Sequence, residues 1–272
     1  MREGYWVIRT YEAGAIGEKT KYFVPGKRPD KKLRRKDTRE ANRQEKNSSC
    51  AKKTLARILN ANFPAGCDAY LIGLDYAQKG MDKILSWARE QGLPMETPEE
   101  QQNSTWEAAD HEMVNAIRRA KRKLPEGAEL KAVYITSDMD GETGELVRVH
   151  HHLVINAEAL EAFKAAWEGC GMGSVDHEKL WEHQLDRTPL AEYWIAQVRK
   201  IPDAKKYRST RNLIRPEPKD KIAMSDAEIR TPKGCELLYR QEFRKGGEQY
   251  IRYVLPKEQR EKKEAKRKRK RE

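Results

Sequence analysis

Apolar residues recur along this chain with two different periods, and the alternation between the two periods predicts its elements. In residues 48–62, Leu55, Ile58 and Leu59 fall at helical spacing behind a pair of serines able to cap a helix start. The segment Asn62-Phe63-Pro64-Ala65-Gly66 then stops that helix. Residues 68–75 (Asp-Ala-Tyr-Leu-Ile-Gly-Leu-Asp) read as a strand, residues 77–92 as a helix, 93–104 as a polar loop, and 105–124 as a helix with Trp106, Met113 and Ile117 on one face. A turn at Pro125-Glu126-Gly127 leads to a strand over 129–137. A hairpin at Asp140-Gly141 returns the chain as a second, antiparallel strand over 146–155. A helix over 157–168, a short strand beginning near Gly171 and a helix over 188–200, opened by Thr188-Pro189, complete the central region. Beyond 215 the chain turns charged and proline-rich, with a weaker strand pair at 235–240 and 249–254. Residues 1–47 read as an extended or partly helical arm. Strands interleaved with helices around at least one antiparallel pair predict an α+β fold, a central antiparallel sheet with helices packed on it. There is no internal repeat.

Charge sharpens this picture. The 272 residues are 38% hydrophobic and 36% charged, with a net charge of +12. Mean hydropathy is −0.96 and the pI is near 9.4. Such a balance favours a polyanionic partner. The basic residues also cluster, at Lys31-Lys32-Leu33-Arg34-Arg35-Lys36 and as the unbroken run 266–271. The four cysteines are widely spaced, which argues against a zinc ribbon or a disulfide framework and for a reducing, cytoplasmic setting. No secretory signal is visible, and no apolar stretch approaches a membrane span.

The chemistry concentrates in Val147-Arg-Val-His150-His151-His152-Leu-Val-Ile-Asn156, where three of the six histidines stand together within an apolar strand. Alternation puts His150 and His152 on one face and His151 on the other, so the outer pair can grip one divalent cation from the same side. The helix over 188–200 carries Tyr193, with Gln197 and Lys200 four and seven residues on and therefore on a shared face. A phenolic oxygen is a nucleophile able to form a covalent phosphoryl intermediate, and a cation held by imidazoles suits a phosphoryl oxygen. The loop that follows supplies Lys205, Lys206, Arg208, Ser209 and Arg211, a phosphodiester-binding set.

A His-x-His strand, a tyrosine helix and a basic Ser209-Thr-Arg211-Asn-Leu213 segment together resemble the rolling-circle replication initiators of the HUH endonuclease superfamily, in their phage and plasmid forms. The resemblance covers roughly residues 48–215 and implies an RRM/ferredoxin-like core flanked by basic extensions: an arm over 1–47, an extension over 216–255 and a disordered basic tail over 256–272. It implies that His150 and His152 hold magnesium or manganese and that Tyr193 becomes joined to the 5′-phosphate of single-stranded origin DNA. A third, acidic ligand is expected from the neighbouring strand at Asp138, with Asp140, His177 and His183 as alternatives. Two positions depart from the family pattern: His151 stands where an apolar residue is usual, and Gln197 stands where many relatives carry lysine, so that Lys200 is the expected substitute. Lys200 and Arg211 would neutralise phosphate charge. Without a Walker-type GxxxxGK[ST] run, unwinding is left to a host helicase, with a host polymerase, in a bacterial cell hosting a phage or plasmid. A relaxase or transposase of the same chemistry, or a non-catalytic nucleic-acid binder, are the alternative readings.

Overall fold

The computed structural model describes residues 4–26, 43–199, 205–223, 228–243 and 247–268. In chain order the elements are β1 (Gly4–Ala13), β2 (Ile16–Pro25), α1 (Arg43–Asn62), β3 (Ala69–Asp75), α2 (Gln78–Glu90), α3 (Pro98–Arg122), β4 (Ala132–Met139), β5 (Leu146–Asn156), α4 (Leu160–Trp167), β6 (Val175–Lys179), α5 (Thr188–Gln197), β7 (Arg208–Ser209), β8 (Lys219–Ile222), β9 (Glu236–Phe243), β10 (Glu248–Val254) and α6 (Lys257–Lys268). The class is α+β, as expected, but the described residues form two five-stranded antiparallel sheets rather than one. The chain divides into two compact units.

One unit comprises Gln44–Leu59 and Ala65–Leu213, close to the expected 48–215 core. Its sheet runs β6-β3-β5-β4-β7, so the histidine strand β5 is central. Ile72 and Leu74 of β3, Ala132 and Tyr134 of β4 and Leu153 and Ile155 of β5 share a core with Ile84, Ala109, Met113, Phe163 and Trp167 of α2, α3 and α4. Helix α3 begins seven residues earlier than its apolar pattern indicates. Thr97 caps it in a reciprocal capping box: its hydroxyl accepts from the Glu100 amide, and the Glu100 carboxylate accepts from the Thr97 amide. The polar run Pro98-Glu-Glu is therefore the first helical turn and not a loop. Asp140 builds the β4–β5 turn, its Oδ1 accepting from the amides of Glu142 and Thr143 at 2.8 and 2.7 Å.

The other unit is built from the two ends of the chain, Met1–Arg43 and Ile214–Glu272, with the short stretch Asn60–Pro64. Its sheet runs β8-β1-β2-β10-β9. The expected N-terminal arm is thus in part a hairpin of two ten-residue strands, β1 paired with β2 from Gly4↔Pro25 to Ala13↔Ile16. The turn at Gly14 has φ +58, which a glycine adopts without strain. The expected strand pair near 235–254 is present as β9 and β10. The basic tail, expected to be disordered, is helical over Lys257–Lys268. Its lysines, arginines and glutamates are helix formers uninterrupted by glycine or proline, and Lys257 and Glu261 pair at i,i+4.

Candidate functional site

Cross-strand register assigns side chains to the two faces of the β6-β3-β5-β4-β7 sheet. His152 lies opposite Gly73 of β3 and Ile135 of β4, and His150 lies opposite Asp75 and Ser137. These residues share one face. His151, with Leu74 and Thr136, faces the helix-packed core. The imidazoles of His150 and His152 stand with ring centroids 5.1 Å apart, nearly perpendicular. His150 Nδ1 lies 3.0 Å from the Arg148 carbonyl, an acceptor only, so Nδ1 carries a proton and Nε2 is the ring nitrogen left to face a ligand. His152 is pushed down to about 4, first by burial and then by the His150 charge. Both effects favour the neutral imidazole that a cation requires.

Helix α5 packs over this face. Trp194 stacks beside His152 at 6.4 Å between centroids, and the Gln197 carbonyl accepts from the Ser137 hydroxyl at 2.9 Å. The Gln197 side chain lies against His152 and works against the burial, raising the imidazole. Its Oε1 is buried with no hydrogen-bond partner. A buried amide oxygen beside the His150 and His152 imidazoles is a donor set suited to a hard-to-borderline divalent cation. Tyr193 lies one helical turn before Gln197 and on the flank of α5, 50% exposed. Next to His152 the surface is open: a Cβ added at Gly73 meets nothing within 4 Å.

Asp138 does not join the pair. It is 2% exposed, and its two oxygens are held by Arg199, Nε to Oδ1 and Nη2 to Oδ2, each at 2.8 Å. It also receives Gln102 of α3, on the core side of the sheet. A carboxylate neutralised by a guanidinium on the opposite face is not free to ligate beside His150. Among the described residues, no group of three or more His, Cys, Asp and Glu side chains comes together to hold a metal. Asp140 is spent in its turn. His177 lies opposite Ile72 and so on the other face, its ring 5.8 Å from Tyr70, and His183 is exposed. Two residues that sequence reasoning did not single out border the histidine face: Asp75 opposite His150, and Gly73. Their signal is the register between β3 and β5, which no sequence pattern supplies.

The remaining expected residues divide. Lys200 lies outside the described residues. Lys205 and Arg211 are exposed. Lys206 is half-buried, its ammonium 3.4 Å from the Arg199 carbonyl. Arg208 is engaged inward, its Nε donating to Asp110 at 2.6 Å, and Ser209 belongs to the edge strand β7 opposite Val133. Arg208 is thus tied to α3 through Asp110, with its side chain 38% exposed. Beside α5 an open cleft is lined by Ser48, Ser49, Lys52, Ile195, Ala196, Val198 and Lys206. Its two ammonium groups and two hydroxyls lie on the side of the helix that bears Ala196, one turn from Tyr193.

Behind the histidine face, His151 is fully buried and joins three strands. Its Nε2 lies 2.8 Å from the Tyr76 hydroxyl and its Nδ1 3.1 Å from the Thr136 hydroxyl. Thr136 donates in turn to Asp110, which Arg208 anchors. The Tyr76 hydroxyl also lies 3.4 Å from the Ala109 carbonyl, so the ring sits between two hydroxyls that are themselves tied to α3. Burial, with the neighbouring His150 and His152 charges, lowers His151 to about 3, so it is a neutral strut. Comparison with protein-family models, curated proteins and solved structures finds no match to this chain.

Proposed function

We propose that this chain is a tyrosine-dependent, metal-assisted nicking and joining enzyme acting on single-stranded DNA, an initiator of rolling-circle replication of the HUH type. The observation that carries the reading is the placement of α5. Its Gln197 lies against His152, and its exposed Tyr193 stands one helical turn earlier on the same helix, which supports a nucleophile working beside the His150/His152 pair.

In the proposed reaction the Tyr193 oxygen attacks phosphorus in line. A tyrosyl–phosphate bond forms, the bond to the 3′-oxygen breaks, the phenolic proton passes to solvent, and the departing 3′-oxygen takes up a proton. Rejoining reverses these changes, so the phosphodiester energy is kept in the phosphotyrosine bond and no nucleotide is consumed. Magnesium or manganese held by His150, His152 and the Gln197 Oε1 would supply Lewis-acid stabilisation of phosphoryl charge. The open surface over Gly73 gives the strand room to approach His152. Lys205 and Arg211, both exposed, and the cleft lysines Lys52 and Lys206 would track its phosphates. Replication of a phage or plasmid origin in the cytoplasm, with a host helicase and polymerase as partners, is the setting this chemistry fits.

The test is incubation with a labelled single-stranded oligonucleotide library and manganese. The reading requires a protein–DNA adduct that survives denaturant. A chain that binds single strands but never forms an adduct is a non-catalytic binder, and the proposal fails.

A further inference from the structure

The unit formed by the two chain ends holds a surface that the proposed reaction does not use. Strand β9 closes one side of its sheet and hydrogen-bonds only to β10, leaving its outer backbone edge without a partner strand among the described residues. All eight of its residues are exposed, including Leu237, Leu238, Tyr239 and Phe243 at 37–45%. A long exposed edge bearing large apolar side chains is a template for another strand, and natural proteins blunt such edges with lysine, proline or a bulge. Here β9 contains no lysine or proline. Its one irregularity, a register shift at Arg252/Tyr253 of β10, falls opposite its first half around Leu238. The second half, residues 239–243, pairs regularly with β10 and is open on its outer side.

We infer that this half-strand is a homodimer contact in which β9 adds antiparallel to β9 of a second copy about a two-fold axis at Gln241. A strand pairing with itself places residue i opposite j in both directions. With Gln241 on the axis, Arg240 lies opposite Glu242 of the second copy, and Tyr239 lies opposite its Phe243, each pair occurring twice. Both pairings are favourable across a sheet: opposite charges on one face, aromatic against aromatic on the other. Moving the axis to Arg240 sets arginine against arginine, and moving it to Tyr239 sets Glu242 against Glu236. Moving it to Leu238 keeps a Glu236–Arg240 pair but puts the irregular segment at the centre of the ladder. Within one chain Arg240 already bridges Glu242 and Glu228, at 3.1 and 2.9 Å, so its guanidinium is held on the face where the partner's carboxylate arrives. The contact is short and the association correspondingly weak. It does not depend on the nuclease reading.

The experiment is sedimentation velocity on the full chain over a rising micromolar concentration series. Wild type is expected to self-associate. Arg240→Glu and Glu242→Arg each set like charges against each other twice, and each is expected to sediment as a monomer. An equimolar mixture of the two variants restores opposite charges in a heterodimer and is expected to associate again. Far-UV circular dichroism confirms that both surface variants fold. In a third variant, Gln241→Cys, the two axis residues lie about 5 Å apart, within disulfide reach, and mild oxidation is expected to give more covalent dimer than in wild type. A wild type that stays monomeric throughout, as it would if another protein or another segment of this chain occupies the edge, overturns the inference. So does a variant mixture that associates no better than its components.

Discussion

His151 makes the stability of its unit depend on acid in a way that can be worked out in advance. The residue is fully buried between Tyr76 and Thr136 and is lowered to about 3, against 6.5 for the exposed imidazole. Between those values the unfolded chain binds a proton that the folded chain refuses. Stability is therefore present above about pH 6.5 and is lost as pH falls toward 3, by about 1.36 kcal/mol per pH unit. At about pH 4.5, two units below the unfolded value, this one residue removes about 2.5 kcal/mol relative to neutral pH. His151→Gln keeps a polar side chain between the two hydroxyls but binds no proton. Whatever the substitution costs at neutral pH, its further loss on acidification should be about 2.5 kcal/mol smaller than that of wild type. The assay is urea unfolding at both pH values followed by tryptophan fluorescence, which reports chiefly on this unit because five of the six tryptophans lie in it. Equal acid losses in the two proteins would refute the buried neutral strut.

Three other substitutions probe the site and its frame. Gly73→Leu projects into open space beside His152, so the melting temperature should hold or rise while adduct formation falls at least tenfold; retained activity would mean the strand does not pass over Gly73. Arg199→Met strands a carboxylate that is 2% exposed and should cost about 3 kcal/mol in urea unfolding, whereas Asp138→Asn in the same background should recover most of that loss. Gln197→Ala removes the buried amide oxygen and should reduce the rise in melting temperature that manganese produces; an unchanged shift takes Gln197 out of the ligand set.

Much of the histidine-bearing unit is legible in the sequence because its strands are short β-branched runs with clear turn chemistry. Asp140-Gly141 fixes the hairpin, and alternation fixes which histidines pair. What alternation cannot give is register between strands that are distant in sequence. Gly73 and Asp75 are neighbours of the histidine pair only because β3 pairs with β5 at Gly73↔His152, and Asp138 leaves the site only because Arg199 reaches it from the end of α5. The tie between Arg208 and its carboxylate partner, 98 residues away on α3, is likewise invisible in the sequence. The first turn of α3 was hidden by its composition, since Thr97-Pro98-Glu-Glu100 is polar and reads as a loop unless the capping box is recognised. The N-terminal hairpin was obscured differently. Charged residues such as Arg9, Glu18, Lys19 and Lys21 interrupt its strands, yet Lys21 is 1% exposed with its ammonium 4.5 Å from the Trp6 ring centroid, so charge there does not mark solvent.

The central claim is that the phenol of α5 and the imidazole pair of β5 act on one phosphate. Peptide mapping by mass spectrometry of the protein after reaction with single-stranded DNA and manganese tests it most directly. A nucleotide mass is expected on the peptide bearing Tyr193, lost in Tyr193→Phe and in the His150→Ala, His152→Ala double variant, and lost in wild type when the metal is chelated. An adduct on any other residue, or one that forms equally without His150, His152 and the metal, would contradict it.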